Sequence, residues 1–138
     1  MNSSFTFSVV GKPAPQGSKD QFGRESCKRV APWRADVKYQ ALIARPDDWD
    51  KAAPMSISIV FKFDRPQLHY RKNGELKPLA PEYPVGRIGD VDKLCRSVLD
   101  ALTDASYNDD AQVVCLHAQR RYTVGKEDQG AIITVTQL

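Results

Sequence analysis

Hydrophobic and polar positions alternate in two stretches of the chain. Residues 5–9 alternate phenylalanine and valine with threonine and serine, and Met55–Asp64 continues such an alternation over a longer distance. A period of two places every second side chain on the same face of a strand. Both stretches are therefore predicted to be β-strands with one buried face.

Two other stretches have the period of a helix. Pro32 suits the first helical position and Pro46 ends that helix, while a second helix is predicted over Val91–Ala105. The predicted core-facing residues are Trp33, Val37, Ala41 and Ala44 in the first helix and Leu94, Val98, Leu99, Leu102 and Ala105 in the second.

The C-terminal region has two more strand patterns, Val113–Tyr122 and Ala131–Thr136, and Gly125–Gly130 between them is predicted to close a hairpin. The order β-α-β-α-β-β predicts an α+β fold, a small mixed sheet of about four strands with two helices on one face. With 138 residues, the chain is expected to form a single domain over residues 1–138.

Residues 65–88 are rich in proline and basic side chains and show no periodicity. They are predicted to form a long flexible loop. Loops of this length are either functional or disordered. Two interpretations stay open: a solvated insertion, or a flap that contacts DNA, since the loop contains Arg65, His69, Tyr70, Arg71, Lys72 and Lys77.

Composition narrows the class of protein. Hydrophobic residues make up 41% and charged residues 27%, and no apolar run is long enough to span a bilayer. The N-terminus lacks the features of a signal peptide, so a cytoplasmic protein without membrane contact is expected. The three cysteines are widely spaced and odd in number, which argues against a disulfide framework or a zinc knuckle.

Charge is unevenly distributed along the chain. Met1–Arg45 has eight basic residues against three acidic ones, a net of +5, whereas 88–110 has six aspartates against two cations, a net of −4. Cations that hold phosphates and carboxylates that hold a metal ion are what a metal-dependent nuclease requires, although ordinary surface charge is the alternative. The candidate DNA-binding residues are Lys12, Lys19, Arg24, Lys28, Arg34, Lys38, Arg71, Lys72 and Lys93.

The aspartates fall in two groups. Asp90 and Asp92 lie at the start of the second predicted helix, and Asp109 and Asp110 lie between that helix and the next strand. If the chain folds back there, three carboxylates converge and suit Mg²⁺ or Mn²⁺. Each aspartate also has a structural interpretation, as a helix cap, a partner of the helix dipole or a turn former.

Arg96 follows Asp92 by one helical turn. It is therefore expected on the same face of the helix. It is expected to bind the scissile phosphate or to form an ion pair with Asp92, and the two roles are compatible at different moments.

Several segments together resemble a known family. They are Gly89–Leu94, Val98–Thr103 and Asp109–Val114, supported by Gly11–Ser18 and Arg65–Tyr70. This combination resembles the RusA-type Holliday junction resolvases, and the last two segments resemble the phage branch of that family.

The resemblance implies roles for individual residues. The family's three metal-binding aspartates correspond to Asp90, Asp92 and Asp110. A lysine important for catalysis in the family corresponds to Arg96. Since arginine is not an acid near neutral pH, phosphate binding is the expected role there. The position after Asp92 is often asparagine in the family, whereas this chain has Lys93 there.

The resemblance also implies an activity: an intertwined homodimer that uses Mg²⁺ to nick two strands of a four-way DNA junction symmetrically, in recombination and repair. Two alternatives remain open. One is a flap or fork nuclease acting in phage replication or packaging, and the other is a non-catalytic DNA-binding protein.

Overall fold

The computed structural model describes residues 3–17, 21–24, 27–86 and 89–138. In chain order the main elements are β1 (Ser4–Val10), α1 (Val30–Ala44), β2 (Met55–Phe63), α2 (Val91–Leu102), β3 (Val113–Tyr122) and β4 (Gly130–Gln137). The predicted α+β class and the order of the elements are confirmed, with two helices and one mixed sheet of four strands.

Two helix boundaries differ from the prediction. Helix α1 begins at Val30, before Pro32, because a proline is tolerated throughout a first turn whose N–H groups have no partner within the helix. Helix α2 ends at Leu102 and not at Ala105. Thr103 has extended backbone and Asp104 is left-handed, with φ of 71°, so the chain leaves the helix there.

The predicted hairpin between β3 and β4 is wrong. The sheet order is β1-β4-β2-β3, so β2 lies between them, parallel to β3 and antiparallel to β4. The glycines at 125 and 130 signal a turn, but β2 is the most apolar strand and gains most from a central position. The Thr123 N–H donates to the Phe63 carbonyl at 2.9 Å, where the connection leaves β3 beside the end of β2.

One face of the sheet packs against the helices. Phe5, Phe7 and Val9 of β1 share a buried cluster with alternate residues of β2 and β4 and with the inner faces of α1 and α2. On the other face, the hydroxyls of Thr6 and Thr134 are hydrogen-bonded and exposed. Strand β3 is the edge next to α2, and Val114 and Leu116 on it are 65% and 44% exposed. Strand β3 therefore exposes apolar side chains beside α2.

The segment predicted as a long loop contains a 3₁₀ turn, Gln67–His69, and an isolated bridge between Tyr70 and Leu76. Arg65 stacks over the Tyr122 ring at 4.6 Å and donates to the Pro81 carbonyl at 2.6 Å. These contacts attach part of the loop to the end of β3. Flexibility of the segment stays a prediction. No helix in the described ranges is long and apolar enough to cross a membrane.

Candidate functional site

An open cavity of about 400 Å³ lies between α2 and the edge strand β3. Its apolar wall includes Leu99 of α2 and Leu116 of β3. Its polar residues are Asp92, Arg96, Asp100 and Asp110. The chain therefore folds back so that Asp92 and Asp110, 18 positions apart in the sequence, line the same cavity.

Asp110 owes its place to a short 3₁₀ turn, Asp110–Gln112. The Asp109 carboxylate accepts from the Ala111 N–H at 2.9 Å, and the Gln112 side chain accepts from the Asp109 N–H at 2.9 Å. Gln112 also donates to the carbonyl oxygens of Lys51 and Ala53, at 2.7 and 2.9 Å, and these bonds attach the turn to the segment that precedes β2. The turn-forming role suggested for these residues thus belongs to Asp109, while Asp110 lines the cavity.

Other carboxylates surround Asp110 and alter its ionisation. A hydrogen bond with Asp109, partial desolvation and the charges of Asp109 and Asp100 raise the pKa of Asp110 above its ordinary value. A cation would relieve this repulsion, since opposite charge favours the ionised form of a carboxyl group.

Asp90 is placed differently from the other two predicted metal ligands. It is the exposed N-cap residue of α2, and its side chain makes no capping hydrogen bond. The capping interpretation is therefore wrong for its side chain. Asp90 is also not among the described residues that line the cavity, whereas Asp92, in the first turn of the helix, is.

Arg96 lines the cavity one turn after Asp92, but no ion pair between the two is found among the described residues, so that alternative is wrong. The guanidinium packs instead against Gly17. A Cβ at Gly17 would lie 2.6 Å from Arg96 Nη1, and Gly17 has a φ of +115°. Glycine at 17 therefore leaves the room that the guanidinium occupies.

Asp100 also lines the cavity, although it was not a predicted site residue. It follows Arg96 by four positions and Asp92 by eight, so all three lie on one face of α2, a spacing that could have identified it. Asp100 also borders a second cavity, of about 270 Å³, lined by Arg34 and Lys38 of α1. The acidic cavity and part of the basic surface thus meet at this residue.

The predicted DNA-binding cations lie on several elements. Arg34 and Lys93 are partly exposed, Arg24 stacks over Phe22 at 4.9 Å, and Lys19 lies outside the described residues. Arg29, which was not predicted, donates to the carbonyl oxygens of Lys12 and Pro13, at 3.0 and 3.1 Å, and holds the loop after β1. The predicted residues that are exposed are Lys12, Arg24, Lys28, Lys38, Arg71 and Lys72.

The donor atoms of the cavity suit a hard cation. Asp92, Asp100 and Asp110 offer only carboxylate oxygens. Burial and the charge of Asp92 raise the pKa of the Cys95 thiol to about 11, so this neighbour stays protonated and is a poor ligand. Within the described ranges, however, no three histidine, cysteine, aspartate or glutamate side chains are grouped as a preformed metal site.

A family model described as endodeoxyribonuclease RusA matches residues 8–136, which include both helices and reach into the first and last strands. No curated protein sequence matches the chain significantly.

Proposed function

The chain belongs to the RusA family of endodeoxyribonucleases, Holliday junction enzymes that hydrolyse phosphodiester bonds of DNA, and from this premise we propose that it resolves four-way junctions by paired, symmetric, Mg²⁺-dependent nicks. The observation that supports this most is the cavity between α2 and β3, which Asp92, Arg96 and Asp110 all line. Carboxylates that can hold a metal ion, beside a cationic side chain that can bind phosphate, suit phosphodiester hydrolysis.

Asp92 and Asp110, together with Asp90 at the start of α2, would hold the metal ion. Mg²⁺ fits an all-oxygen set, and Mn²⁺ is expected to substitute. A bound Mg²⁺ would supply positive charge at the scissile phosphate and lower the pKa of a bound water molecule. The residues of this chain orient the substrate relative to that charge.

Arg96 is proposed to bind the scissile phosphate. Its guanidinium is always charged and offers paired donors for phosphate oxygens, so it stabilises negative charge that develops during cleavage. Because it does not release a proton near neutral pH, proton transfer to the leaving oxygen must come from water.

The cations near α1 and in the 65–88 loop are proposed to hold the arms of the junction. Lys12, Lys28 and Lys38 are exposed in the N-terminal part, and Arg71 and Lys72 are exposed in the loop. Phosphate contacts of this kind carry no sequence information, and they make affinity fall steeply as salt rises.

A homodimer is proposed because a four-way junction has near two-fold symmetry, so two linked sites can each cut one of two opposed strands. The β3 edge is the surface suggested for the second copy. Its backbone edge is unpaired within the described sheet, and Val114 and Leu116 expose apolar area on it. Recombination and repair of DNA are the processes that such an activity would serve.

The experiment compares labelled four-way, forked and linear duplex DNA with shared arm sequences, each incubated with Mg²⁺, Ca²⁺ or EDTA. The proposal expects symmetric nicks on the four-way junction, in Mg²⁺ only. Equal or faster cleavage of the fork, with single nicks on the junction, would instead identify a debranching nuclease. Equal junction binding in all three conditions with no cleavage in Mg²⁺ would contradict the proposal.

A further inference from the structure

Residues 13–17, here called the N-terminal strap, lie along α2 beside the acidic cavity. The Gln16 N–H donates to the Lys93 carbonyl at 3.0 Å, and the Ser97 hydroxyl donates to the Ala14 carbonyl at 2.7 Å. Ala14 is fully buried. The strap therefore contacts the same helix that carries Asp92, Arg96 and Asp100.

The side chain of Gln16 extends this contact to Asp100. Its Nε2 donates to the Asp100 carboxylate, a bond between residues 84 positions apart. Its Oε1 is buried and has no hydrogen-bond partner among the described residues. An unsatisfied buried oxygen is unfavourable, so the position of this amide is explained by the charge-assisted bond that its other end makes.

Asp100 is held between surfaces of opposite charge. On one side it shares the cavity with Asp92 and Asp110, and on the other it borders the cavity of Arg34 and Lys38. The bond from Gln16 fixes the carboxylate in the wall of the acidic cavity.

We propose that Gln16 and Asp100 are positioning residues for the cation site: Gln16 holds the Asp100 carboxylate in the cavity wall, where its charge strengthens cation binding by Asp92 and Asp110. This inference rests on the proposed function, because it assumes that those two aspartates hold the cation. Groups that orient and polarise metal ligands typically change metal affinity or activity by about 10- to 100-fold when removed.

The test is a double-mutant cycle of Gln16→Ala and Asp100→Asn on the full chain, with Asp92→Asn as a reference. Three measurements are made without DNA: the melting temperature without metal, its rise with added Mn²⁺, and the Mn²⁺ concentration that half-saturates the protein. Asp104→Asn is the control for Asp100→Asn, because it removes an exposed charge from a left-handed position that asparagine tolerates. Gln67→Ala, exposed in the 3₁₀ turn after β2, is the control for Gln16→Ala.

Asp100→Asn is expected to raise the half-saturating Mn²⁺ concentration about tenfold and Gln16→Ala by a smaller factor. The double variant should match Asp100→Asn alone, because Gln16 acts through Asp100 and the two effects are then not additive. Neither control should change the half-saturating concentration.

Additive losses of Mn²⁺ affinity in the double variant would overturn the inference. So would a lower metal-free melting temperature with unchanged Mn²⁺ binding, because the pair would then stabilise the fold without affecting the cation site. The reference variant separates this failure from that of the proposed function. If Asp92→Asn weakens Mn²⁺ binding and Asp100→Asn does not, only the pair is rejected. If Asp92→Asn has no effect, the cation site and the pair are both rejected.

Discussion

Arg120 of the edge strand donates from Nη1 to the carbonyl oxygen of Gly89, at 2.7 Å. Gly89 directly precedes Asp90, and its φ of +117° is one that other residues rarely adopt. A Cβ there would lie 3.1 Å from the Leu94 side chain and 3.3 Å from that of Pro15. The start of α2 is thus fixed to β3 through a backbone position that suits glycine.

The first prediction concerns this contact. Arg120→Ala should lower single-turnover cleavage about tenfold, because the turn that carries Asp90 and Asp92 loses its link to β3. Arg120→Lys should retain more activity, since an ammonium can still donate to one carbonyl. Lys126→Ala, which removes an exposed cation from the β3–β4 connection, is the control. Equal rates for Arg120→Ala and the control would show that the contact does not position the site.

The second prediction concerns the close approach of Gly17 and Arg96. Gly17→Ala should slow cleavage, because the added methyl group occupies the place of the guanidinium, 2.6 Å from Nη1. Gly11→Ala is a matched control, with a φ of +133° and no atom within 4 Å of the added Cβ. Both variants should lose about 1 kcal/mol of stability through backbone strain. Only Gly17→Ala should cleave DNA more slowly. Single-turnover rates measure cleavage and thermal melts measure stability, and equal cleavage rates for the two variants would contradict this prediction.

The third prediction is a pH dependence of stability. The Glu127 carboxylate accepts hydrogen bonds from two guanidinium nitrogens of Arg121, at 2.7 and 2.8 Å, and from the Val124 N–H at 3.0 Å. It also forms an ion pair with the Lys62 ammonium at 3.8 Å. The hydrogen bond from Arg121 is the largest cause that lowers the pKa of Glu127 from 4.5 to about 2. A lowered pKa stabilises the folded state above about pH 4.5, and this contribution is lost as pH falls from there towards 2.

Glu127→Gln should therefore destabilise the protein by about 1 kcal/mol at pH 7, and the difference from the unmodified chain should shrink as pH falls below 4.5. Urea unfolding at several pH values measures it, with Glu82→Gln, an exposed carboxylate, as the control. A difference that is constant from pH 7 to pH 3 would mean that the charge of Glu127 is not what stabilises this connection.

The fourth prediction concerns assembly through β3. Cys115 is exposed on this strand, Cys95 is buried, and Cys27 is partly buried. If a second copy pairs along β3, a short bismaleimide should join two chains through Cys115, and Cys115→Ser should abolish the product. Sedimentation should give the mass of a dimer for both proteins. A monomer in sedimentation would contradict the dimer, whereas a dimer without the cross-link would place the interface elsewhere.

The parts of the fold that the sequence predicted depend on local patterns. Strand β2 and the inner face of α2 follow from periodicity over neighbouring residues, and both were found where the periodicity placed them. The prediction of a β3–β4 hairpin was wrong because the pairing of strands depends on residues that are distant in the sequence. The two glycines indicate only that the chain turns in this connection.

The same distinction holds for the cavity. Asp92 and Asp110 were predicted to converge on the condition that the chain folds back, and the spacing of Asp100 from Asp92 carried a usable signal. The sequence contained no signal for Gln16, because its contact with Asp100 joins residues 84 positions apart. Contacts at that separation arise from tertiary packing, which single-sequence periodicity does not encode.

The most direct measurement of the central claim compares Asp92→Asn and Asp110→Asn with the unmodified chain on a supercoiled plasmid that extrudes a cruciform, in Mg²⁺. Binding of a synthetic four-way junction without metal is measured on the same preparations. The account predicts linear plasmid from the unmodified chain, no cleavage by either variant, and junction affinity that is unchanged or tighter, because each variant removes a negative charge near phosphate. Normal cleavage by both variants would contradict the account, since the cavity between α2 and β3 would then not be where the DNA is cut.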